Sequence, residues 1–265
     1  MAASPQPSAP IDDPGASPGA GPQACLWQEL GWTPDSGQLA ALVALQEQLR
    51  QWNSRVNLTR LVEGDDFWIA QVFDSLWPWV PLLTAPGGVP EGLELIDVGT
   101  GGGFPGLALA IALPTARLTL VDSVGRKLEA VGAMARSLGL EGRISLRCER
   151  VERTGRRRDC RGHFDRAMAR AVAGAPVVAE YLVPLLKPGG LGLLYRGQWG
   201  AGDQRELEAA VAVLRATVEP AQRRDLPAGR GVRHGLWLRP AGPCPAAYPR
   251  AVGVPQRQPI SSRPS

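Results

Sequence analysis

A chain of 265 residues, 44% of them hydrophobic, is long enough to bury one sizeable core with room for a small appendage. No apolar run approaches the roughly 20 residues that cross a bilayer, so a soluble, cytoplasmic protein is expected; four scattered cysteines and two histidines supply neither a disulfide framework nor a zinc site. The net charge is +4, and its placement matters more than its size: no Lys or Arg precedes Arg50, whereas 143–170 and the end from Arg223 onward are dense in arginine. Such asymmetry is the footprint of a nucleic-acid partner, or equally a set of solvated arginines.

Residues 1–23 are rich in Pro, Ala, Ser and Gly and lack bulky apolar side chains, which predicts a disordered tail without the features of a targeting peptide. Residues 24–90 read as a helical cap or extra layer. Leu39, Leu42, Val43, Leu45, Leu49 and Trp52 fall at helical spacing over 38–52, and a second helix is predicted over 65–76, ended by Pro78. Between them runs a polar, basic loop from Trp52 to Arg60. It is an ordinary helix connection or a place where Asn57, Thr59 and Arg60 hydrogen-bond a base or phosphate.

Over 91–240 strand-like and helix-like segments alternate. Strands are predicted at 93–98, 118–121, 144–146, 164–169, 191–195, 216–219 and 236–239, with a late helix over 202–214. This is the pattern of an α/β domain: a mostly parallel sheet with helices on both faces and its ligand at the carboxyl ends of the strands. Residues 241–265 form a basic tail without periodicity, an extended strip or a loose end; Tyr248 within it offers a face for stacking on a base.

The first strand runs into Asp97-Val98-Gly99-Thr100-Gly101-Gly102-Gly103-Phe104-Pro105-Gly106. Glycines there permit positive φ and let a ligand lie on the backbone, and the helix start beyond offers unpaired N–H groups. Gly101-x-Gly103-x-x-Gly106 matches a dinucleotide fingerprint, but Asp97 at the entrance would repel a pyrophosphate. A carboxylate there suits a ligand with a nearby positive charge, such as the ammonium of S-adenosylmethionine (SAM). Asp122, ending the next strand, is placed to accept ribose hydroxyl protons or to cap the helix after it. Val151 and Glu152 follow the third strand and Arg170 the fourth, so all three are expected at one crevice.

Asp97, Gly99, Gly101 and Gly103 resemble the first motif of class I SAM-dependent methyltransferases, which have a Rossmann-like fold. Several further motifs, Trp52-Asn53-x-x-x-Asn57-Leu58-Thr59, Asp74-Ser75-Leu76, Leu120-Val121-Asp122-Ser123, Arg150-Val151-Glu152, Phe164-Asp165 through Ala169-Arg170-Ala171, and Tyr248-Pro249-Arg250, are together similar to the RsmG (GidB) family over about 39–260. That resemblance implies methyl transfer from SAM to N7 of a guanine in 16S ribosomal RNA, conventionally numbered 527, acting on the RNA or the small subunit. It implies cofactor contacts by Gly99, Phe104, Val151, Glu152 and Arg170, to which the residues themselves add Asp97, Thr100, Gly101, Gly103 and Asp122. It also turns the tail into an RNA contact, so Asn57, Arg60, Arg196, Tyr248 and Arg250 are the expected RNA-binding residues. The chain departs from the family pattern at Gln71, where His is frequent, at Arg196, where Lys precedes Gly, and at Cys244, which replaces Thr.

Guanine N7 carries an in-plane lone pair and no proton, so its methylation needs no general base; holding donor and acceptor in line supplies the catalysis. Arg170 and Asn57 are the candidates for any catalytic side chain, no metal is called for, and a monomer is expected. The rival functions are a methyltransferase with another substrate, an NAD-dependent oxidoreductase, and a non-catalytic RNA-binding protein.

Overall fold

Helices come first, and they pack as one layer on the sheet. The computed structural model describes residues 24–261; the tail expected over 1–23 lies outside the described residues. Helix α1 (Ala24–Leu30) buries Leu26, Trp27 and Leu30. Helix α2 (Ser36–Asn53) starts at a capping box: the Asp35 carboxylate accepts the Gln38 N–H at 2.8 Å, and the Gln38 side chain accepts the Asp35 N–H at 2.9 Å. The second expected helix is a chain of shorter turns: α3 (Gly64–Phe67), a π-helical stretch Trp68–Phe73, α4 (Asp74–Leu76), a 3₁₀ turn Trp77–Trp79 and α5 (Val80–Leu83). Pro78 does not end it. It sits in the first turn of the 3₁₀ segment, where its missing N–H costs nothing.

The remaining elements, in chain order, are β1 (Glu94–Val98), α6 (Gly106–Ala112), β2 (Arg117–Asp122), α7 (Gly125–Ser137), β3 (Ile144–Cys148), α8 (Val151–Thr154), β4 (Phe164–Arg170), α9 (Ala175–Leu182), β5 (Leu186–Arg196), α10 (Ala201–Val213), β6 (Ala216–Val218), β7 (Gln222–Asp225), β8 (Val232–Pro240) and α11 (Val254–Arg257). The strands line up as β3-β2-β1-β4-β5-β8-β6, with β7 also on β8. β1 to β5 run parallel to one another, and β8 is antiparallel to β5, β6 and β7. Strand β7 was not expected: Gln-Arg-Arg-Asp has no apolar alternation, and it holds by backbone pairing to β8, the Trp237 indole donating to Gln222, and Arg224 reaching Glu29 O and the Phe73 ring. The order reverses between β1 and β4, which opens a crevice beyond their carboxyl ends.

One face of the sheet carries Leu95, Leu118 and Leu120 against Leu107, Val131 and Met134, and the same cluster takes in Leu42, Leu45, Leu49, Phe67, Phe73 and Leu76. The N-terminal helices therefore share a continuous core with the sheet. Burying one such Leu or Phe is worth about 1.5–3 kcal/mol. The other face packs Ile96, Val98 and Val121 against Val177, Tyr181 and Leu182 of α9 and Leu207 and Val211 of α10.

The C-terminal segment is neither extended nor loose. Ile260 and Tyr248 join the second cluster. Arg161 donates to the carbonyls of Cys244 (2.9 Å), Pro245 (3.1 Å) and Tyr248 (2.5 Å), and Arg156 to those of Ala247 (3.0 Å) and Pro249 (2.7 Å). Five backbone acceptors without periodicity are satisfied by two arginines from another part of the chain. A strip that hydrophobic patterning cannot predict is thereby fixed.

Candidate active site

The crevice is a cavity of about 730 Å³, within the roughly 300–1,000 Å³ of small-molecule sites. Gly99, Thr100, Gly101, Phe104, Asp122, Val151, Arg170 and Arg196 line it, joined by Leu58, Thr59, Gln71, Asp74, Lys127, Glu149, Tyr195, Arg233 and Gln256.

Its floor is built by backbone. The N–H groups of Gly99 and Thr100 both donate to Val121 O, at 2.8 and 3.0 Å, so the chain leaving β1 leans on β2. Gly99 has φ +71°, and a Cβ on it would lie 2.6 Å from Val172 Cγ2; only glycine fits. At Gly106 a Cβ would come 2.9 Å from Asp97 Oδ2, so the third glycine of the fingerprint lets α6 approach β1. Phe104 anchors the loop edge-on against Phe67, with centroids 6.0 Å apart.

Asp122 does not cap α7, whose N-cap is Val124 without a side-chain hydrogen bond; it braces the turn before that helix instead. Its Oδ2 accepts the Gly101 N–H and its Oδ1 the Val124 N–H, each at 2.9 Å, which ties the glycine loop to the turn before α7. Lone pairs on both oxygens remain for a ligand in the cavity.

Asp97 does not line the cavity. It is fully buried, its Oδ2 accepts the Gly106 N–H at 3.0 Å, and its Oδ1 has no partner; the nearby Thr100 hydroxyl is also buried and unpartnered. Burial pushes its pKa up to about 6, against the pull of the Thr100 hydroxyl and the Gly106 N–H. Gly103 likewise lies outside the lining.

Of the pair after β3, Val151 faces the cavity and Glu152 turns into the wall, because successive residues of α8 point in different directions. Glu152 accepts from Arg150 (3.0 Å), Tyr181 (3.3 Å) and the Gly253 N–H (2.9 Å). Burial works to raise its pKa, but Gly253 and Arg150 prevail and hold it below the usual carboxylate range.

Arg170 is held by the π-helical stretch. Its Nη1 donates to Ala70 O at 3.3 Å and to Asp74 Oδ2 at 3.2 Å, and its Nη2 to Gln71 Oε1. Gln71 in turn donates to Thr59 Oγ1 at 3.1 Å. The amide at this position thus couples Arg170 to the Asn-Leu-Thr loop, which is shaped from within by Asn53 accepting the N–H groups of Leu58 and Thr59 at 2.9 and 3.0 Å. Π-bulges occur mostly at functional sites, and this one forms a wall of the cavity.

The expected RNA-binding residues separate. Arg196 lines the cavity, and Asn57 and Arg60 are exposed beside it, flanking the lining residues Leu58 and Thr59. Tyr248 and Arg250 lie on the second face. Arg250 is committed to Glu180, which it meets through its backbone N–H (2.7 Å), Nε (3.0 and 3.1 Å) and Nη2 (2.6 Å). Sequence reasoning assigned no role to Asp74, Tyr195, Arg233, Lys127, Glu149 or Gln256; only Asp74 stood in a recognised motif.

Strand order, glycine loop and switch-point cavity define a class I methyltransferase. The O-methyltransferase of Bacillus cereus shares this fold at 15% identity, with a TM-score of 0.52 over 74% of this chain and 90% of that one. So does the [4+2]-cyclase SpnF, at 14% identity and TM-score 0.51 over 79% of this chain and 98% of that one, which shows that the fold alone does not fix the reaction. The family model described as rRNA small subunit methyltransferase G matches residues 38–225. The ribosomal RNA small subunit methyltransferase G of Parasynechococcus marenigrum (strain WH8102) is 62% identical over 239 residues, 90% of this chain and 95% of that protein. Its counterpart in Synechococcus sp. (strain RCC307) is 61% identical over 89% of this chain and 98% of that protein. This chain belongs to the rRNA small subunit methyltransferase G family.

Proposed function

We propose that this protein transfers a methyl group from SAM to N7 of a guanine, the one conventionally numbered 527, in 16S ribosomal RNA. The observation that carries the reading is one cavity with two unlike ends, in a chain of this family: a glycine-built floor with Asp122 and Glu149 at one end, and Arg170, Arg196 and Arg233 at the other.

The residues present fit SAM. The side-chain-free approach at Gly99, the spare acceptor capacity of Asp122 and the apolar walls of Phe104 and Val151 suit a nucleoside, and no phosphate-sized charge has to sit above Asp97. Gly99, Thr100, Gly101, Phe104, Asp122 and Val151 would hold the cofactor. When bound, it supplies an electrophilic methyl group on a sulfonium. The protein's part is positioning: the lining holds neither His nor Cys among the described residues, and a guanine N7 has no proton to remove. Asp97 holds the start of α6, and Glu152 and Gly103 support the wall and the loop from behind. Thr59 and Gln71, which link the exposed Asn57–Arg60 loop to Arg170, are placed to join base recognition to the reacting end.

The protein acts as a cytoplasmic monomer in this reading. No helix among the described residues is long and apolar enough to cross a membrane. The test is transfer of labelled methyl from SAM to small-subunit RNA lacking the native modification, supplied naked and as subunits, with mapping of the product. Label on N7 of one guanine is expected; SAM binding with no label on either form refutes the substrate assignment.

A further inference from the structure

Among the described residues, Asp74 is the one acid lining the arginine end of the cavity. Arg170, Arg196 and Arg233 line that end with it, while Asp122 and Glu149, the other lining acids, belong to the cofactor floor. Its side chain is 6% exposed and stands at the start of α4, directly after the π-helical stretch. One oxygen, Oδ2, accepts from Arg170 Nη1 at 3.2 Å and from Arg233 Nε at 3.4 Å, from two strands that β5 separates. Oδ1 is buried and, among the described residues, has no partner.

This is a poor way to stabilise a fold. Both bonds are long beside the roughly 2.7–2.9 Å of charge-assisted ones, and a buried oxygen left unpaired does not recover what it lost on leaving water. Nor do the arginines depend on Asp74 for hydrogen bonds. Arg170 also donates to Ala70 O and Gln71 Oε1, and Arg233 to Val232 O at 3.0 Å. Those acceptors are all neutral. What Asp74 alone brings to this end is negative charge, one carboxylate against three guanidiniums.

Such a balance matters to a ligand that is itself charged. SAM, with a sulfonium, an ammonium and a carboxylate, is a net cation. S-adenosylhomocysteine (SAH), which remains once the methyl group has gone, is neutral overall. The two share every group except that methyl and its charge, so a contact elsewhere in the cavity acts on both alike.

We propose that Asp74 is a specificity-determining residue: its buried carboxylate lowers the positive potential of the arginine end, so that the cavity admits cationic SAM beside three guanidiniums and does not retain neutral SAH in its place. Asp74 acts through the field and through the two arginines it holds, without touching the methyl group. The inference rests on SAM as the cofactor and not on the proposed RNA atom.

The test is calorimetry of SAM and of SAH at low salt, on the full chain as wild type, Asp74→Asn, Arg233→Met and the double variant. Asparagine keeps the acceptor and removes only the charge. Two unit charges roughly 10 Å apart near a protein surface change an affinity on the order of tenfold, and Asp74→Asn lowers the ratio of SAM to SAH affinity by about that factor. Arg233→Met, which removes a cation and keeps Asp74, raises the ratio. The double variant returns it to near the wild-type value, and because it strands no second cation it serves where Asp74→Asn alone does not fold. A residue that only holds the fold together moves both ligands equally. An Asp74→Asn ratio within about twofold of wild type, or an Arg233→Met ratio that does not rise, overturns the proposal. The ratio involves no RNA, so failure to methylate RNA would refute the substrate assignment and leave this one standing.

Discussion

Replacing Arg250 by Ala strips a fully buried carboxylate of its cation. Glu180 has a side chain 0% exposed, and among the described residues all its hydrogen bonds come from Arg250, whose own side chain is 25% exposed. Removing one partner of a buried pair costs about 3–5 kcal/mol, most of it the penalty of the stranded charge. At about 2–4 °C per kcal/mol for a domain of this size, the melting temperature followed by circular dichroism falls by about 6–20 °C. The double variant Glu180→Leu/Arg250→Met removes both charges at similar volume and recovers most of the loss. SAM binding weakens in the single variant as well, since the same segment supplies the Gly253 N–H to Glu152 behind Val151. An Arg250→Ala protein that melts within about 2 °C of wild type but loses RNA affinity would refute this reasoning and return Arg250 to the RNA surface.

Three further outcomes are expected. Gly99→Ala combines a left-handed φ with a Cβ 2.6 Å from Val172 Cγ2, at a cost of about 1–2 kcal/mol for the backbone alone; calorimetry reads at least a tenfold loss of SAM affinity, partly recovered by adding Val172→Ala. Asp97 has a folded pKa of about 6 against about 3.9 unfolded, so its contribution to stability is full below pH ~4 and lost as pH rises through about 6. Asp97→Asn therefore flattens that part of the curve of urea midpoint against pH, and an unchanged curve would contradict the burial. Tyr195→Phe removes the acceptor of Trp79 Nε1 (2.7 Å) and the donor to Ser75 O (2.6 Å), destabilising the protein by about 1–3 kcal/mol in chemical denaturation.

The fold and the glycine loop were legible in the sequence because they rest on local rules. Alternating apolar runs marked every parallel strand, and the glycine spacing marked the turn after β1. What the chain hides are the pairings at long range and the side to which a residue turns. Asp97 looked like a ligand of the cofactor, but the period of two in β1 puts it on the same face as Leu95, under the start of α6 rather than in the crevice. Glu152 shares a motif with Val151 and points elsewhere. Arg250 looked like an exposed basic residue, because the carboxylate it neutralises lies 70 residues earlier. The π-helical stretch escapes a search at the period of the α-helix, and with it the clamp on Arg170.

The docking of the C-terminal segment also bears on how the molecule is made. Synthesis delivers Glu180 long before Arg250, and Arg156 and Arg161 long before the carbonyls they bind. Throughout that interval the second face of the sheet holds a carboxylate without its cation and two arginines short of the C-terminal carbonyls they bind. A nascent chain stopped short of Arg250 is therefore an unfinished fold rather than a shortened enzyme, and methyl transfer has to wait until the segment around Arg250 has left the ribosome and docked.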